Sequence, residues 1–127
     1  MTPHDRALEL LSLANDDLYV ARVLAPDASA ADGMVGFHLQ QAAEKLLKAL
    51  LAERNVDYPR THSLLRLMLL AAEHGYALPG FVDELASLTR YAVVERYEVQ
   101  LPASSLDRPR LLSLVERLQE WVEGGLG

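Results

Sequence analysis

Apolar residues recur at helical spacing along five stretches of the chain, and each stretch predicts one helix. The first stretch follows Thr2, a candidate N-cap, and Pro3, which suits the first helical turn, and it ends at Pro26. The second has a candidate cap at Asp32, continues to about residue 54 and stops at Asn55. The apolar side of the first predicted helix consists of Ala7, Leu10, Leu11, Ala14, Leu18 and Ala21.

Three further stretches complete the pattern. Thr61 is a candidate cap for a third helix, which Gly75 closes as a left-handed residue. A fourth helix begins near Pro79 and runs through FVDELASLTRYAVVERY, although the β-branched end of this stretch also suits a strand. The fifth starts at Asp107 and Pro109, and its apolar stripe consists of Leu111, Val115, Leu118 and Val122. The pattern predicts an all-α protein, an up-down antiparallel bundle of four to five helices with short loops.

Composition and charge narrow the class of protein. The chain has 127 residues, half of them apolar, which suits a single domain over residues 1–127. No stretch approaches the roughly 18 apolar residues that cross a membrane, and the start does not resemble a secretion signal, so we expect a cytoplasmic protein. The absence of cysteine excludes disulfides, thiolate metal sites and cysteine nucleophiles. A net charge of −6 argues against binding to extended nucleic acid, which depends on many Lys and Arg contacts to phosphates.

The second predicted helix has a polar side that includes an aromatic residue, which a solvated helix face usually lacks. At about 100° per residue, this side carries Phe37, His38, Gln41, Glu44, Lys45 and Lys48. One interpretation is a solvated face, on which Gln41 with Lys45 and Glu44 with Lys48 form stabilising i, i+4 pairs. The other is a contact surface for a second subunit or a phosphate-bearing ligand, in which the lysines supply charge and Phe37 packs or stacks.

A second candidate region is LTRYAVVERYE, which has two arginines and two tyrosines close together. Arginines paired with nearby carboxylates, and tyrosines packed by their rings, would have a structural role only. Arginine also binds phosphate through parallel hydrogen bonds, and a tyrosine ring offers a surface on which a base stacks. The candidate residues for phosphate or nucleotide binding are therefore Lys45, Lys48, Arg90, Arg96 and Tyr97. The candidates for an interface or for stacking are Phe37, His38, Gln41 and Tyr91.

The sequence offers little support for catalysis or for a metal site. The histidines are scattered, and no two have the i, i+4 spacing of a helical metal pair: His4, His38, His62 and His74. There is no GxSxG motif and no glycine-rich phosphate loop. We predict no metal, no cofactor and no catalytic residue from the pattern.

Four stretches taken in order resemble the HEPN domain family of small all-helical proteins: ALELLSLANDDLYVARVL, GFHLQQAAEKLLKALL, THSLLRLM and LTRYAVVERYE. The resemblance covers nearly the whole chain, and its most specific parts are FHLQQAAEKLLKALL, THSL and the pair Arg96 and Tyr97. It implies a bundle of four to five helices that commonly forms a homodimer. It also implies a minimal nucleotidyltransferase as partner, since such proteins are often encoded side by side as a two-component module.

The resemblance leaves the activity open, because many family members are ribonucleases, often toxins of toxin–antitoxin pairs. Their motif is an arginine followed after four to six residues by histidine, brought together across the dimer. Here Arg90 is followed by YAVVERYEV, and the last histidine of the chain is His74. Acid/base catalysis usually needs a group that titrates near neutral pH, which neither arginine nor an ordinary tyrosine supplies. The departure favours a non-catalytic subunit that binds a partner and a nucleotide; the alternatives are an atypical ribonuclease built on Arg90 and Arg96, or a purely structural helical dimer.

Overall fold

The structure is a computed structural model that describes residues 1–92 and 106–126. These residues form four α-helices and one 3₁₀ helix. The predicted all-α class is confirmed. In chain order the helices are α1 (Pro3–Leu24), α2 (Asp32–Glu53), α3 (Leu64–Glu73), the 3₁₀ helix (Gly80–Tyr91) and α4 (Arg108–Gly125).

Helix α2 lies at the centre of the bundle, where it contacts every other helix. It runs antiparallel to α1: His4 at the start of α1 contacts Glu53 at the end of α2, and residues 25–31 join the opposite ends. Its central position explains why apolar residues occupy most of its circumference. The fully buried leucines of α2 are Leu39, Leu46, Leu47, Leu50 and Leu51.

Most of the predicted helix ends are confirmed, because they depend on local chemistry. Thr2 accepts a hydrogen bond from the backbone of Asp5, whose carboxylate accepts one from the backbone of Thr2, so the two form a capping box. Asn55 and Gly75 end α2 and α3 with φ angles of 56° and 93°, in the left-handed region. Asp107 caps α4 by accepting a hydrogen bond from the backbone of Arg110.

Two predicted caps were wrong. The N-cap of α2 is Ala31, which has no side-chain oxygen, and the carboxylate of Asp32 instead accepts a hydrogen bond from Arg108 at 2.7 Å. The N-cap of α3 is Ser63, whereas the Thr61 hydroxyl accepts a hydrogen bond from the backbone of Ser63 and shapes the approach to the helix. In both cases a polar residue stands one or two positions from the true cap and binds elsewhere.

The fourth predicted helix is a 3₁₀ helix rather than an α-helix over its described part. Its buried residues, Val82, Leu85, Leu88 and Tyr91, occur at every third position. A helix with three residues per turn aligns such positions on a single face, whereas an α-helix would turn them away from one another. The remainder of that prediction, including Arg96 and Tyr97, lies outside the described residues.

The corner between α1 and α2 is held by Arg108, the first residue of α4. Besides Asp32, its guanidinium donates hydrogen bonds to the backbone carbonyls of Leu24, Ala25, Asp27 and Ala30. These carbonyls belong to the end of α1 and the connecting loop, where helical partners are missing. One side chain therefore fixes how three helices meet.

Within residues 1–92 and 106–126, no helix is both long enough and apolar enough to cross a membrane.

Candidate functional site: the polar stripe of α2

The polar stripe of α2 consists of the six residues Phe37, His38, Gln41, Glu44, Lys45 and Lys48, and it is less exposed than a solvated face. Glu44 is buried, with 5% of its surface exposed, and the other five are half-buried. Phe37 is half-buried too, and its ring meets the ring of His38 edge-on, with centroids 5.2 Å apart. The stripe is covered on one side by α1 and on the other by the loop between α2 and α3, as the following contacts show.

On the α1 side, Asp17 holds two residues of the stripe. Its carboxylate lies 3.0 Å from Nδ1 of His38 and 2.5 Å from Nζ of Lys45. The Asp17 side chain is only 12% exposed, so this pairing is partly shielded from water. The ammonium group of Lys45, a candidate phosphate ligand, is thus already paired with a carboxylate.

On the loop side, Glu44 is the centre of a buried hydrogen-bond network. Its carboxylate accepts hydrogen bonds from Lys48 at 2.9 Å and from Gln40 at 3.1 Å. Nδ1 of His62, in the loop before α3, lies 2.8 Å from the same carboxylate. Gln40, which is fully buried, also donates to the backbone carbonyl of His62 and accepts a hydrogen bond from Gln41. No buried side-chain oxygen or nitrogen of the described residues lacks a partner.

The network keeps Glu44 ionised. Burial raises the pKa of its carboxyl, but the hydrogen bonds from Lys48, His62 and Gln40 and the charge of Lys48 lower it by more, so the pKa lies below the ordinary 4.5. An ionised carboxylate only accepts hydrogen bonds, and Nδ1 of His62 is therefore the donor. The other ring nitrogen of His62 points away from Glu44, on a side chain that is 55% exposed.

The loop before α3 adds an aromatic ring to this side of the stripe. Nζ of Lys48 lies 5.4 Å from the ring centre of Tyr58, and the guanidinium of Arg6 donates to the Tyr58 hydroxyl at 3.2 Å. The ammonium group of Lys48 is therefore paired with the carboxylate of Glu44 and lies against the ring of Tyr58. Lys45 is paired with Asp17 in a similar way. A phosphate on either lysine would have to compete with a carboxylate of the same chain.

The second candidate region reaches the same helix. Tyr91 is only 2% exposed, and its ring lies so close to Gly36 of α2 that a Cβ atom there would be 2.5 Å from the ring. The ring is therefore packed in the core rather than presented to a ligand. Arg90 is exposed, with its guanidinium 5.7 Å from the centre of that ring. Thr89 accepts a hydrogen bond from the backbone of Leu64, which brings this end of the 3₁₀ helix to the start of α3.

Sequence reasoning missed Asp17, Gln40, Tyr58 and Arg108. Gln40 carried a signal, because it is a polar residue beside the apolar side of α2 with Glu44 four positions later. The other three act on residues distant in sequence, and no local pattern marks them. Among the described residues, no three His, Asp or Glu side chains are arranged to hold a metal ion.

The sequence model of the HEPN domain matches residues 7–125. The chain belongs to the HEPN domain family. Its fold is also that of an archaeal HEPN homologue of known crystal structure, with a TM-score of 0.70, 23% identity, and coverage of 96% of this chain and 98% of that one. No curated protein matches the chain in sequence. The resemblance to the HEPN family is thereby confirmed. The match to the archaeal homologue, at 23% sequence identity, shows a shared fold only.

Proposed function

We propose that this protein is a non-catalytic HEPN subunit, which forms a homodimer and binds a minimal nucleotidyltransferase protein. The observation that carries the proposal is the histidine missing after Arg90, since the last histidine of the chain is His74. Without it, the stretch after Arg90 has no residue type that ordinarily transfers protons near neutral pH at the position of the motif's histidine. The partner is the one that the resemblance to the family implies.

Two of the four histidines, His38 and His62, have contacts that a structural role explains. His38 and His62 each place Nδ1 against a partly or fully buried carboxylate, of Asp17 and Glu44 respectively. Both contacts tie neighbouring elements together: His38 joins α2 to α1, and His62 joins the α2–α3 loop to α2. The structural role accounts for both histidines without a substrate.

Nucleotide binding is the second part of the proposal, and it is assigned to Arg90, Arg96 and Tyr97 rather than to the lysines of α2. Lys45 and Lys48 are already paired with carboxylates, so they have less charge to offer a phosphate. A few exposed contacts provide only a few kcal/mol, and we expect a dissociation constant on the order of tens to hundreds of micromolar for ATP or GTP. Calorimetry with Arg90→Ala and with the double variant Lys45→Ala and Lys48→Ala separates the two assignments: only the first should weaken binding.

The absence of catalysis is tested with structured and single-stranded RNA. Wild-type protein, Arg90→Ala and His62→Ala should all leave the RNA intact over background hydrolysis, since acid/base groups contribute roughly 10² to 10⁴ in rate. Robust cleavage that Arg90→Ala abolishes would overturn the proposal. Loss of that cleavage in His62→Ala as well would identify His62 as the base.

The partner is tested in two steps: the reading frames beside this one are examined for a minimal nucleotidyltransferase, and that protein is co-expressed with this chain for sizing and light scattering. A neighbourhood without such a reading frame would count against the proposed partner. A stable complex with two copies of this chain is the expected result. A purified protein that stays at its monomer mass of 14.1 kDa at about 100 µM, with no complex formed, would refute both the homodimer and the partner.

A further inference from the structure

Helix α3 has apolar residues on two opposite sides. Leu64, Leu67, Met68 and Ala71 are buried against the bundle. On the outer side, Leu65 and Leu69 are 52% and 58% exposed, and their i, i+4 spacing places them in one row. A short helix that needs only one apolar side for the core therefore presents a second one to solvent.

Two charged residues flank this outer row, Arg66 and Glu73. Both are exposed, and within residues 1–92 and 106–126 neither has an ion-pair partner. At about 100° per residue they lie on the same flank of the row, and at about 1.5 Å per residue they are roughly 10 Å apart along the axis. They are therefore poorly placed to pair with each other within one chain.

The same two charges are well placed to pair across a two-fold axis. If a second α3 packs antiparallel with the axis beside Leu69, the two Leu69 side chains meet at the centre. The flank of one helix then faces the same flank of the other, so Arg66 of each protomer lies beside Glu73 of its partner. A two-fold interface has to be complementary to itself, and this arrangement of opposite charges on either side of a central leucine satisfies that condition.

A cavity supports the same contact. It has a volume of about 270 Å³ and is lined by Pro59, Arg66, Leu69, Leu70 and Glu73. It thus lies on the flank that carries both charges, beside the central leucine. In the antiparallel arrangement, the long side chains on the same flank of the facing helix have room to enter there.

Within residues 1–92 and 106–126, Tyr19 and Val23 of α1 form another exposed i, i+4 apolar pair, which lacks this arrangement. The arginine next to it, Arg22, is already paired with Glu116 of α4 at 2.8 Å. The α3 row is thus distinguished by unpaired charges whose positions suit a second copy of the same surface.

We propose that the outer side of α3, formed by Leu65, Arg66, Leu69 and Glu73, is the surface through which two copies of this chain associate. The inference rests on the proposed homodimer and assigns it a face. The surface of one short helix is smaller than the roughly 800 Å² per partner of a standard interface, so the dissociation constant is expected in the micromolar range.

The test uses charge reversal, with sedimentation equilibrium over a range of protein concentrations as the measurement. Arg66→Glu and Glu73→Arg each turn both cross-axis pairs into repulsive ones, and each should weaken dimerisation by about tenfold or more. The variant that carries both changes restores opposite charges and should dimerise within about threefold of the wild type. The control is Glu120→Arg, which makes the same charge change as Glu73→Arg at an exposed residue of α4. It should leave the dissociation constant of the dimer unchanged.

The outcomes separate this inference from the proposed function. A wild-type dimer that neither single variant weakens overturns the α3 surface but leaves the homodimer in place through another face. Weakening in both single variants without recovery in the double variant also overturns the proposed pairing. A wild-type monomer at about 100 µM refutes the surface together with the homodimer. Circular dichroism of each variant establishes that the fold is retained.

Discussion

The substitution Glu44→Gln tests whether the buried network of α2 stabilises the fold. Glutamine has the size of glutamate and keeps one acceptor oxygen, but it has no charge. Lys48 would lose its ion-pair partner while 16% of its side chain remains exposed, because the oxygen that it binds is the one an amide nitrogen would replace. His62 and Gln40 already share the other oxygen, which glutamine keeps without its charge. The change therefore removes charge while preserving volume, so a loss of stability cannot be assigned to a cavity.

The magnitude follows from the burial of the pair. Removing one partner of a fully buried ion pair costs about 3–5 kcal/mol, and a net hydrogen bond to a charged group contributes about 1.5–3 kcal/mol. Lys48 is close enough to the surface to regain part of its hydration, and glutamine still accepts one hydrogen bond. We expect the free energy of unfolding at pH 7 to fall by about 2 kcal/mol, and by about 3 kcal/mol in Glu44→Ala, which also loses volume.

The effect should depend on pH in a defined direction. The pKa of Glu44 is lowered in the folded protein, so the carboxylate contributes stability above the ordinary pKa of 4.5, and this contribution is lost as pH falls through the folded pKa. Glutamine does not titrate. The difference in free energy of unfolding between wild type and Glu44→Gln should therefore be largest near neutral pH and shrink below pH 4.5.

Urea denaturation followed by circular dichroism at pH 7 and at pH 3.5 measures both quantities. Glu116→Gln is the matched control, because Glu116 pairs with Arg22 at the surface, where the two side chains are 37% and 43% exposed, and its loss should cost less than about 0.5 kcal/mol. The reasoning fails if the free energy of unfolding of Glu44→Gln lies within about 0.5 kcal/mol of the wild-type value at pH 7. It fails equally if the difference between the two proteins does not change with pH.

Three further substitutions test other contacts of the bundle, and urea denaturation measures the free energy of unfolding of each. Gly36→Ala should lower the free energy of unfolding by about 2 kcal/mol or more, because the new Cβ would lie 2.5 Å from the buried ring of Tyr91. A change near zero would show that the ring can move aside. Arg108→Lys should lower the free energy of unfolding by about 2 kcal/mol, because lysine cannot reproduce a planar guanidinium that donates to four carbonyls and a carboxylate. The control is Arg110→Lys, at an exposed ion pair, which should change the free energy of unfolding little. Asp107→Ala removes the cap of α4 and should cost about 1 kcal/mol, whereas a loss well below that would show that the cap is dispensable.

The 3₁₀ helix shows how much periodicity reveals when it is measured closely. The spacing of Val82, Leu85, Leu88 and Tyr91 is three throughout, and it was visible in the sequence. A 3₁₀ helix of this length is uncommon, and 3.0 and 3.6 residues per turn differ little over one or two turns. Over four buried positions the two periods separate by about half a turn, which was enough to distinguish them.

The pairings between elements could not be predicted in the same way. Lys45 was correctly placed on the polar side of α2, but its partner Asp17 lies on α1, 28 positions away. Whether Lys45 faces water or a carboxylate depends on which helix packs beside α2 and in what rotation. The same holds for Arg108, whose acceptors are some 80 positions away. Most helix ends were predictable from neighbouring residues, whereas packing decided which charges pair.

The two most specific stretches behind the family resemblance, FHLQQAAEKLLKALL and THSL, prove to be one structural unit. Glu44 and Gln40 of the first bind His62 of the second, through its ring and its backbone carbonyl. Joining the α2–α3 loop to the central helix is sufficient reason for these residue types, and no ligand is needed to account for them. If Arg90 stands where the resemblance implies the arginine of the ribonuclease motif, differences in activity are better sought in the sequence that follows it, YAVVERYEV, which has no histidine.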